Sequence, residues 1–364
     1  MIAARSCSRP RWTPCRATVA GPAVAAVTVV AGVLATDAVG LSLRDPDHVA
    51  ALYLALVGLG VAGMVGLDIL IRAGARLGRP LPSRAALRRT RRERWTLRRT
   101  VTVGSALVAF YLTYMAYRNL KSVVPLLRPG DLFDRQLSDL DRVLFAGHDP
   151  AELLHAVLGT GFSSQVLSSA YVAFIVFLPL TIGVALVFAR DLRVGLLYTT
   201  AQSINWVLGA VTYLLVPALG PIYSEPAAFA RLPYSEVTYL QGVLLDQRLE
   251  FLRDPASSTP QSIAAFASLH IAMSFTAALT AQVLKVGRRL RVALWIWFAV
   301  TCANTIYLGW HYVLDDLAGL LLGASALALA SVLTGIDPRS VRRRPAVADA
   351  ELVFAPERPL ARRA

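Results

Sequence analysis

Residues 72–99 read RAGARLGRPLPSRAALRRTRRERWTLRR, and this segment sets the arrangement of the rest of the chain. It contains eleven arginines and one acidic residue, Glu93, and an apolar run stands on each side of it. Each charge at the centre of a bilayer costs about 2.5–3.5 kcal/mol, so the segment must lie outside the membrane. Its positive sign places it in the cytoplasm, because cytoplasmic loops carry an excess of lysine and arginine.

The composition of the whole chain is that of a polytopic membrane protein. Of its 364 residues, 55% are hydrophobic and 16% are charged, and the mean hydropathy is +0.53. This is more apolar material than one soluble core needs. The net charge of +14 does not indicate a nucleic-acid partner, because the arginines occur in short clusters between apolar runs. We therefore expect a protein of the cell membrane that binds no nucleic acid.

Alternating the apolar runs across the membrane from the arginine-rich segment predicts about eight transmembrane helices. Every run that returns to the cytoplasm ends in lysine or arginine, so both termini are expected in the cytoplasm, the first run acting as a signal anchor. The predicted fold is all-α, a polytopic membrane helical bundle. The predicted spans are residues 20–43, 49–71, 101–120, 165–189, 194–219, 263–284, 292–310 and 316–333.

Two long loops fall on the outer side of this topology. In residues 132–145, apolar positions recur at helical spacing and charged residues cover the other face. This pattern predicts an amphipathic helix that lies at the membrane interface. The second loop, residues 217–262, is rich in proline and has a predicted short helix at residues 236–250.

One ionisable pair stands inside an apolar run. Residues 301–320 read TCANTIYLGWHYVLDDLAGL, which places His311 and Asp315 four positions apart and, on a helix, on one face. An ionisable pair in a membrane segment is by default a functional-site hypothesis. An imidazole held by a carboxylate at one ring nitrogen presents the other nitrogen as a nucleophile, and the carboxylate stabilises the positive charge that develops.

Further polar residues fall on the same outer side. His270 stands near the start of one inward span, with Ser268 two positions before it, and it is suited to act as a general acid and base. Lys121 and Arg128 follow an outward span and supply positive charge for phosphoryl oxygens. The topology assignment does not depend on these residues, so their common side is informative.

Each of these motifs has an ordinary structural explanation when it stands alone. A His-x3-Asp pair is more often structural than catalytic, lysine and arginine commonly snorkel at helix ends, and Ser268 has the position of a helix cap. Their joint occurrence on one side favours a site for phosphoryl transfer. The chain lacks a His-Glu-x-x-His motif and an aspartate-rich metal motif, so no metal ion or other cofactor is expected.

The set of motifs resembles the signature of a known family. Lys121-x6-Arg128, Ser268-Leu269-His270 and His311-x3-Asp315 are similar to the three-part signature of the type 2 phosphatidic acid phosphatase superfamily. The His-Tyr-x-x-Asp-x-x-Ala-Gly run and the upstream Phe-Asp-Arg and Leu-Asp-Arg triplets are most similar to its inositol phosphorylceramide synthase-like branch. The resemblance covers about residues 99–333.

The resemblance implies a six-helix catalytic core without a metal ion. In it His311 is the nucleophile, Asp315 orients it, and His270 is the acid and base. The implied contacts to the substrate phosphate are Lys121, Arg128 and Ser268.

Two departures from the family pattern bear on this assignment. Ala267 stands where the second motif usually has proline, and Asn304-Thr305 stands where many members have Ser-Arg before the catalytic histidine. The second departure removes one expected phosphate ligand. Candidates to replace it are Arg231, Arg248 and Arg253.

The predicted organisation has three parts: a two-helix extension with a basic cytoplasmic loop at 1–98, a catalytic domain at 99–335 and a disordered basic tail at 336–364. The expected function is cleavage of a lipid phosphate or polyprenyl diphosphate on the extracytoplasmic side through a phosphohistidine. The motifs lean toward transfer to an alcohol or inositol acceptor. The alternative is a transporter or scaffold with a structural His/Asp pair, which the lack of paired broken helices and of an inverted repeat disfavours.

Overall fold

The computed structural model describes residues 16–45, 48–78, 82–257 and 261–338. These residues form thirteen α-helices and one 3-10 helix, with no β-strand among them, which confirms the all-α prediction. The basic head before residue 16 and most of the tail predicted to be disordered, from residue 339, lie outside the described residues. The helices are α1 (Arg16–Asp37), α2 (Val49–Leu77), α3 (Arg84–Arg94), α4 (Leu97–Leu127), α5 (Asp134–Leu144), α6 (Pro150–Leu158), α7 (Phe162–Phe188), α8 (Leu192–Leu215), α9 (Pro221–Ser224), α10 (Glu236–Arg253), α11 (Leu269–Val283), α12 (Arg288–Tyr307) and α13 (Val313–Thr334).

Six helices in the described part of the chain are long and apolar enough to span a membrane, namely α1, α2, α4, α7, α12 and α13. The other two predicted spans correspond to α8 and α11. α11 has only 15 residues, and α8 carries buried polar side chains such as Gln202 and Asn205. Both helices pack among other helices of the bundle, so their side chains face protein rather than lipid and need not be apolar. The polytopic helical bundle is confirmed.

Buried amides join α8 to α11. Asn205 Nδ2 donates a hydrogen bond to Thr276 Oγ1 at 3.0 Å, and Gln202 Nε2 donates to the backbone oxygen of Met273 at 3.2 Å. Interhelical hydrogen bonds of this kind contribute about 0.6–2 kcal/mol each in membrane proteins. They fix the position of α11 inside the bundle.

α11 and α13 approach each other closely at two glycines of α13. A Cβ atom at Gly319 would lie 2.6 Å from the backbone oxygen of Ser268, and one at Gly323 would lie 2.6 Å from that of Ala272. Small residues four positions apart allow such contacts between membrane helices. The backbone N–H of Ser268 also donates to the backbone oxygen of Asp315 at 3.0 Å. The start of α11 is therefore fixed against the start of α13.

The helix predicted within residues 132–145 is present as α5, and the helix predicted at residues 236–250 is present as α10. One side of α5 packs against the bundle and the other side is exposed. Its apolar residues Leu140 and Val143 are exposed, whereas Asp134 and Asp141 are buried against the bundle. Arg135 and Asp139 are exposed as well, so the outward surface of α5 carries both apolar and charged side chains, which suits a helix at a membrane interface.

Arginines gather at one end of the bundle. Arg94 donates to the backbone oxygen of Ala189, just after α7, at 2.8 Å, and the buried Asp68 of α2 accepts from Arg72 Nε at 2.7 Å and from Trp95 Nε1 at 3.1 Å. These contacts join α2, α3 and α7 near the start of α4. We call this region the arginine end.

Replacing Asp68 by Ala is expected to lower the melting temperature of the purified protein. The change leaves buried cationic and indole donors without their acceptor, which costs about 3 kcal/mol. The control is Glu93→Gln, because Glu93 pairs with Arg76 and Arg89 at the same end but its side chain is 40% exposed. That variant should lose less than about 1 kcal/mol. Equal losses in thermal unfolding would contradict this account.

Candidate active site

His311 lies in the link between α12 and α13, as the predicted spans 292–310 and 316–333 place it, so it does not share a helical face with Asp315. Its backbone N–H donates to the backbone oxygen of Thr305 at 3.2 Å, which shapes the link. Asp315 occupies the first turn of α13 and reaches back across the helix start. Its Oδ2 accepts from the backbone N–H of Tyr312 at 3.0 Å and lies 3.2 Å from Nδ1 of His311. The pair forms through the geometry of a helix N-terminus.

Two carboxylates of α5 fix the same link from the other side. Asp141 accepts from the backbone N–H groups of Val313 at 2.7 Å and Leu314 at 3.2 Å. Asp134 accepts from the hydroxyl of Tyr312 at 3.1 Å and from two backbone amides in the segment that follows α8. The first amides of a helix have no partner within the helix, so an outside carboxylate stabilises them. α5 thus supports the residues that flank His311.

The second histidine of the prediction stands next to the first. The ring centroids of His270 and His311 are 5.7 Å apart, and the His270 ring packs against Tyr171 and Phe174 of α7 at 4.8 and 4.7 Å. Burial lowers the pKa of His311 to about 3, and the Lys121 ammonium acts in the same direction. His311 is therefore neutral at pH 7 and retains a lone pair on one ring nitrogen.

Both imidazoles and Lys121 line one cavity of about 610 Å³. The Lys121 ammonium lies over the rings of Tyr117 and Tyr213, at 5.9 and 5.2 Å from their centroids. Within the described residues, Lys121 forms no ion pair with a carboxylate. An ammonium beside two imidazoles in a largely apolar cavity is suited to bind an anionic group.

Arg118 lines the same cavity and was not among the predicted site residues. It stands one turn before Lys121 on α4, and its Nη1 donates to Asp45 Oδ1 at 3.1 Å. The spacing of three positions between Arg118 and Lys121 was a signal in the sequence, since residues at that spacing share a helix face.

Two predicted phosphate contacts do not line the cavity. Arg128 ends α4, and it donates from Nε to Asp131 Oδ2 at 2.8 Å and from Nη1 to the backbone oxygen of Leu214 at 2.9 Å. Ser268 is fully buried and caps α11, accepting from the backbone N–H of Ile271 at 3.5 Å. Their roles as phosphate ligands stay predictions. Each side chain already has a structural partner.

The three candidates to replace the missing arginine of the third motif lie outside the cavity. Arg231 and Arg253 are exposed, and Arg248 donates to Gln261 Oε1 at 3.3 Å; none of these three lines the cavity. Thr305 is buried and donates to Asp316 Oδ2 at 3.1 Å. No cluster of His, Cys, Asp or Glu side chains in the described residues is placed to hold a metal ion.

Comparison with protein-family models gives a match that covers more than half of the chain. A family model described as the PAP2 superfamily matches residues 135–329, which is 195 of the 364 residues. No curated protein and no solved structure matches the chain. The matched region contains His270, His311 and Asp315, whereas Lys121 and the helices α1 to α4 precede it.

Replacing Asp141 by Ala is expected to destabilise the protein by about 1–2 kcal/mol, because two amides at the start of α13 lose their acceptor. The matched control is Asp139→Ala on the same helix, where the side chain is 61% exposed. The control should change stability by no more than about 0.5 kcal/mol. Thermal unfolding of both variants checks this, and a larger loss in the control would refute the capping role.

Proposed function

The chain belongs to the PAP2 superfamily of membrane lipid phosphatase-type proteins, and from this premise we propose that it breaks a lipid phosphoester or pyrophosphate bond through a phosphohistidine at His311. One observation carries the proposal. The His311–Asp315 pair, His270 and Lys121 come from three separate parts of the chain and meet around one cavity. A nucleophile, its orienting carboxylate, an acid and base, and a fixed positive charge are the groups that such a reaction needs.

In the first half-reaction, His311 keeps its proton on Nδ1 and donates a hydrogen bond from it to Asp315 Oδ2, which stays ionised. The lone pair of Nε2 then attacks phosphorus and forms the P–N bond while the bond to the leaving oxygen breaks. Asp315 stabilises the positive charge that develops on the ring. His270 enters this step as an imidazolium, gives one proton to the leaving oxygen and becomes neutral, and the leaving group departs as an alcohol or as a phosphate-bearing group.

In the second half-reaction, His270 accepts a proton from the incoming hydroxyl group. The oxygen of that group attacks phosphorus, the P–N bond breaks, and the electron pair returns to Nε2 of His311. Water as acceptor gives hydrolysis, and an alcohol gives head-group transfer. We favour transfer to an alcohol such as inositol, because the Ser-Leu-His and His-Tyr-x-x-Asp-x-x-Ala-Gly motifs resemble the synthase-like branch.

Positive charge near the histidines stabilises the phosphoryl oxygens in the transition state. Lys121 is placed to do this directly, and Arg118 lines the same cavity. Arg128 would have to leave Asp131 before it could contact a phosphate in the cavity. We therefore assign the main electrostatic role to Lys121.

The active site is proposed to face the extracytoplasmic side of the cell membrane. Lys121 lies near the end of α4 that is remote from the arginine end, and arginine-rich ends face the cytoplasm. The competing proposal is a transporter or scaffold in which the His/Asp pair is structural. It predicts no turnover of lipid phosphates.

His311→Gln is expected to lower turnover of a lipid phosphate by about 10⁴-fold or more, because the nucleophile is lost. Labelled phosphatidate and polyprenyl diphosphate are assayed with the purified protein, with and without inositol as acceptor. An acid-labile, base-stable phosphoenzyme should be trapped in the wild type and be absent from His311→Gln. Undiminished turnover in this variant would exclude His311 as the nucleophile.

Lys121→Met is expected to lower kcat/KM by about 10²–10³-fold, as for removal of a group that stabilises charge in the transition state. Arg128→Met should lower kcat/KM by less than about tenfold, because Arg128 lies outside the cavity and an ion pair made by a cation at the surface contributes little free energy. The two variants remove the same charge, so they are matched. A larger loss in Arg128→Met would reassign the phosphate contact to Arg128.

A further inference from the structure

α2 forms one wall of the cavity that contains the histidines, although it precedes both the matched region and the predicted catalytic domain. The cavity is lined from this helix by Tyr53, Val57, Gly60, Val61 and Met64, among others. These positions recur every three or four residues, so they form one face of the helix. The two-helix extension therefore contributes directly to the candidate site.

The two faces of α2 have different surroundings. Val61 is buried, and Val57 and Met64 pack against the core of the bundle. Leu59 is 71% exposed, and Leu67 is also exposed. An exposed leucine face on a membrane-spanning helix suits contact with lipid, which leaves the other face to bound the cavity.

α4 supplies a second wall as a column of aromatic side chains. The column runs from Lys121 back along α4 toward the arginine end, one helical turn at a time, through Tyr117, Tyr114 and Phe110. All three aromatic side chains line the cavity. Lys121 and Phe110 are eleven positions apart, which corresponds to about 16 Å along the helix axis. Trp206 of α8 packs against this column, 4.5 Å from Tyr117. The cavity therefore runs from a polar head at the histidines into an apolar part of about 16 Å.

We propose that the face of α2 that lines the cavity, together with α4 and α7, binds the hydrocarbon chain of a lipid whose phosphate lies at Lys121 and the two histidines. This inference rests on the proposed function and adds the part of the site that binds the hydrocarbon chain of the substrate. Apolar and aromatic walls bind methylene groups by removing them from water, whereas a water-soluble phosphate would leave those walls without a partner. α2 thereby becomes an element that determines chain-length specificity.

Gly60 gives a direct way to test the wall. It lines the cavity, and a Cβ atom at this position meets no atom within 4 Å. Gly58 lies on the same helix and also has no atom within 4 Å of a Cβ, but it does not line the cavity. A larger side chain therefore occupies the cavity at Gly60 and leaves it unchanged at Gly58, with the same effect on helix propensity.

The experiment measures equilibrium binding of dodecyl phosphate and butyl phosphate to the full chain in lipid nanodiscs. Gly60→Phe is expected to raise the Kd of dodecyl phosphate by about tenfold or more, since obstruction of a few methylene positions in an apolar pocket has effects of this size. The Kd of butyl phosphate should change by less than about twofold. Gly58→Phe should leave both Kd values unchanged. Gly60→Leu should raise the Kd of dodecyl phosphate by an intermediate factor. A melting-temperature measurement checks that the Gly60→Leu variant is folded.

Failure of this inference differs from failure of the proposed function. Equal effects of Gly60→Phe on the two alkyl phosphates, or no preference of the wild type for the longer chain, would overturn the chain-binding wall even if turnover is observed. Binding that depends on chain length and on Gly60, without turnover of phosphatidate or polyprenyl diphosphate, would support the wall and refute the catalytic proposal.

Discussion

The distance between the starts of α11 and α13 governs the candidate site. Gly319 and Gly323 let the backbone of α11 come so near that a Cβ at either position would collide with a carbonyl oxygen. His270 stands at the start of α11 and His311 just before α13, so this approach brings the two imidazoles to 5.7 Å between ring centroids. A side chain at either glycine would separate the helices and with them the two rings. The buried amides between α8 and α11 act on the same geometry, because they hold α11 from its other side.

The membrane setting also explains why polar groups of this protein face inward. Lipid is as apolar as leucine, so burial of apolar residues gives little driving force between membrane helices, and packing and hydrogen bonds matter more. α5 follows this logic, with Leu140 and Val143 exposed and with Asp134 and Asp141 bonded to the residues around His311. The amides at the start of α13 need acceptors in a site from which bulk water is largely excluded. A helix at the interface can supply them without burying an unpaired charge.

The sequence was sufficient to predict the helical bundle and the meeting of Lys121, His270, His311 and Asp315. It was sufficient because a charged or ionisable side chain within a membrane-spanning segment costs free energy. The positions of such residues therefore constrain both the topology and the location of the site. Periodicity did not reveal which face of α5 points inward, because both its buried side and its exposed side carry apolar and charged residues. The partners of Arg128 and Ser268 depend on contacts between distant segments, and so does the wall formed by α2. The spacing of His311 and Asp315 did not indicate one helical face, because Asp315 caps the start of α13 and this start lies between the two residues.

The charge balance of the cavity connects its polar and apolar parts. His311 is neutral at pH 7 because burial lowers its pKa, and Arg118 is paired with Asp45, so Lys121 supplies the uncompensated charge among the described residues near the histidines. An ammonium that is partly removed from water is stabilised only weakly by the rings of Tyr117 and Tyr213. A phosphate would compensate that charge, and an attached hydrocarbon chain would cover the aromatic walls next to it. A ligand with only one of these parts would leave either the ammonium or the walls unsatisfied, which is why the cavity fits an amphiphilic phosphate better than a soluble one.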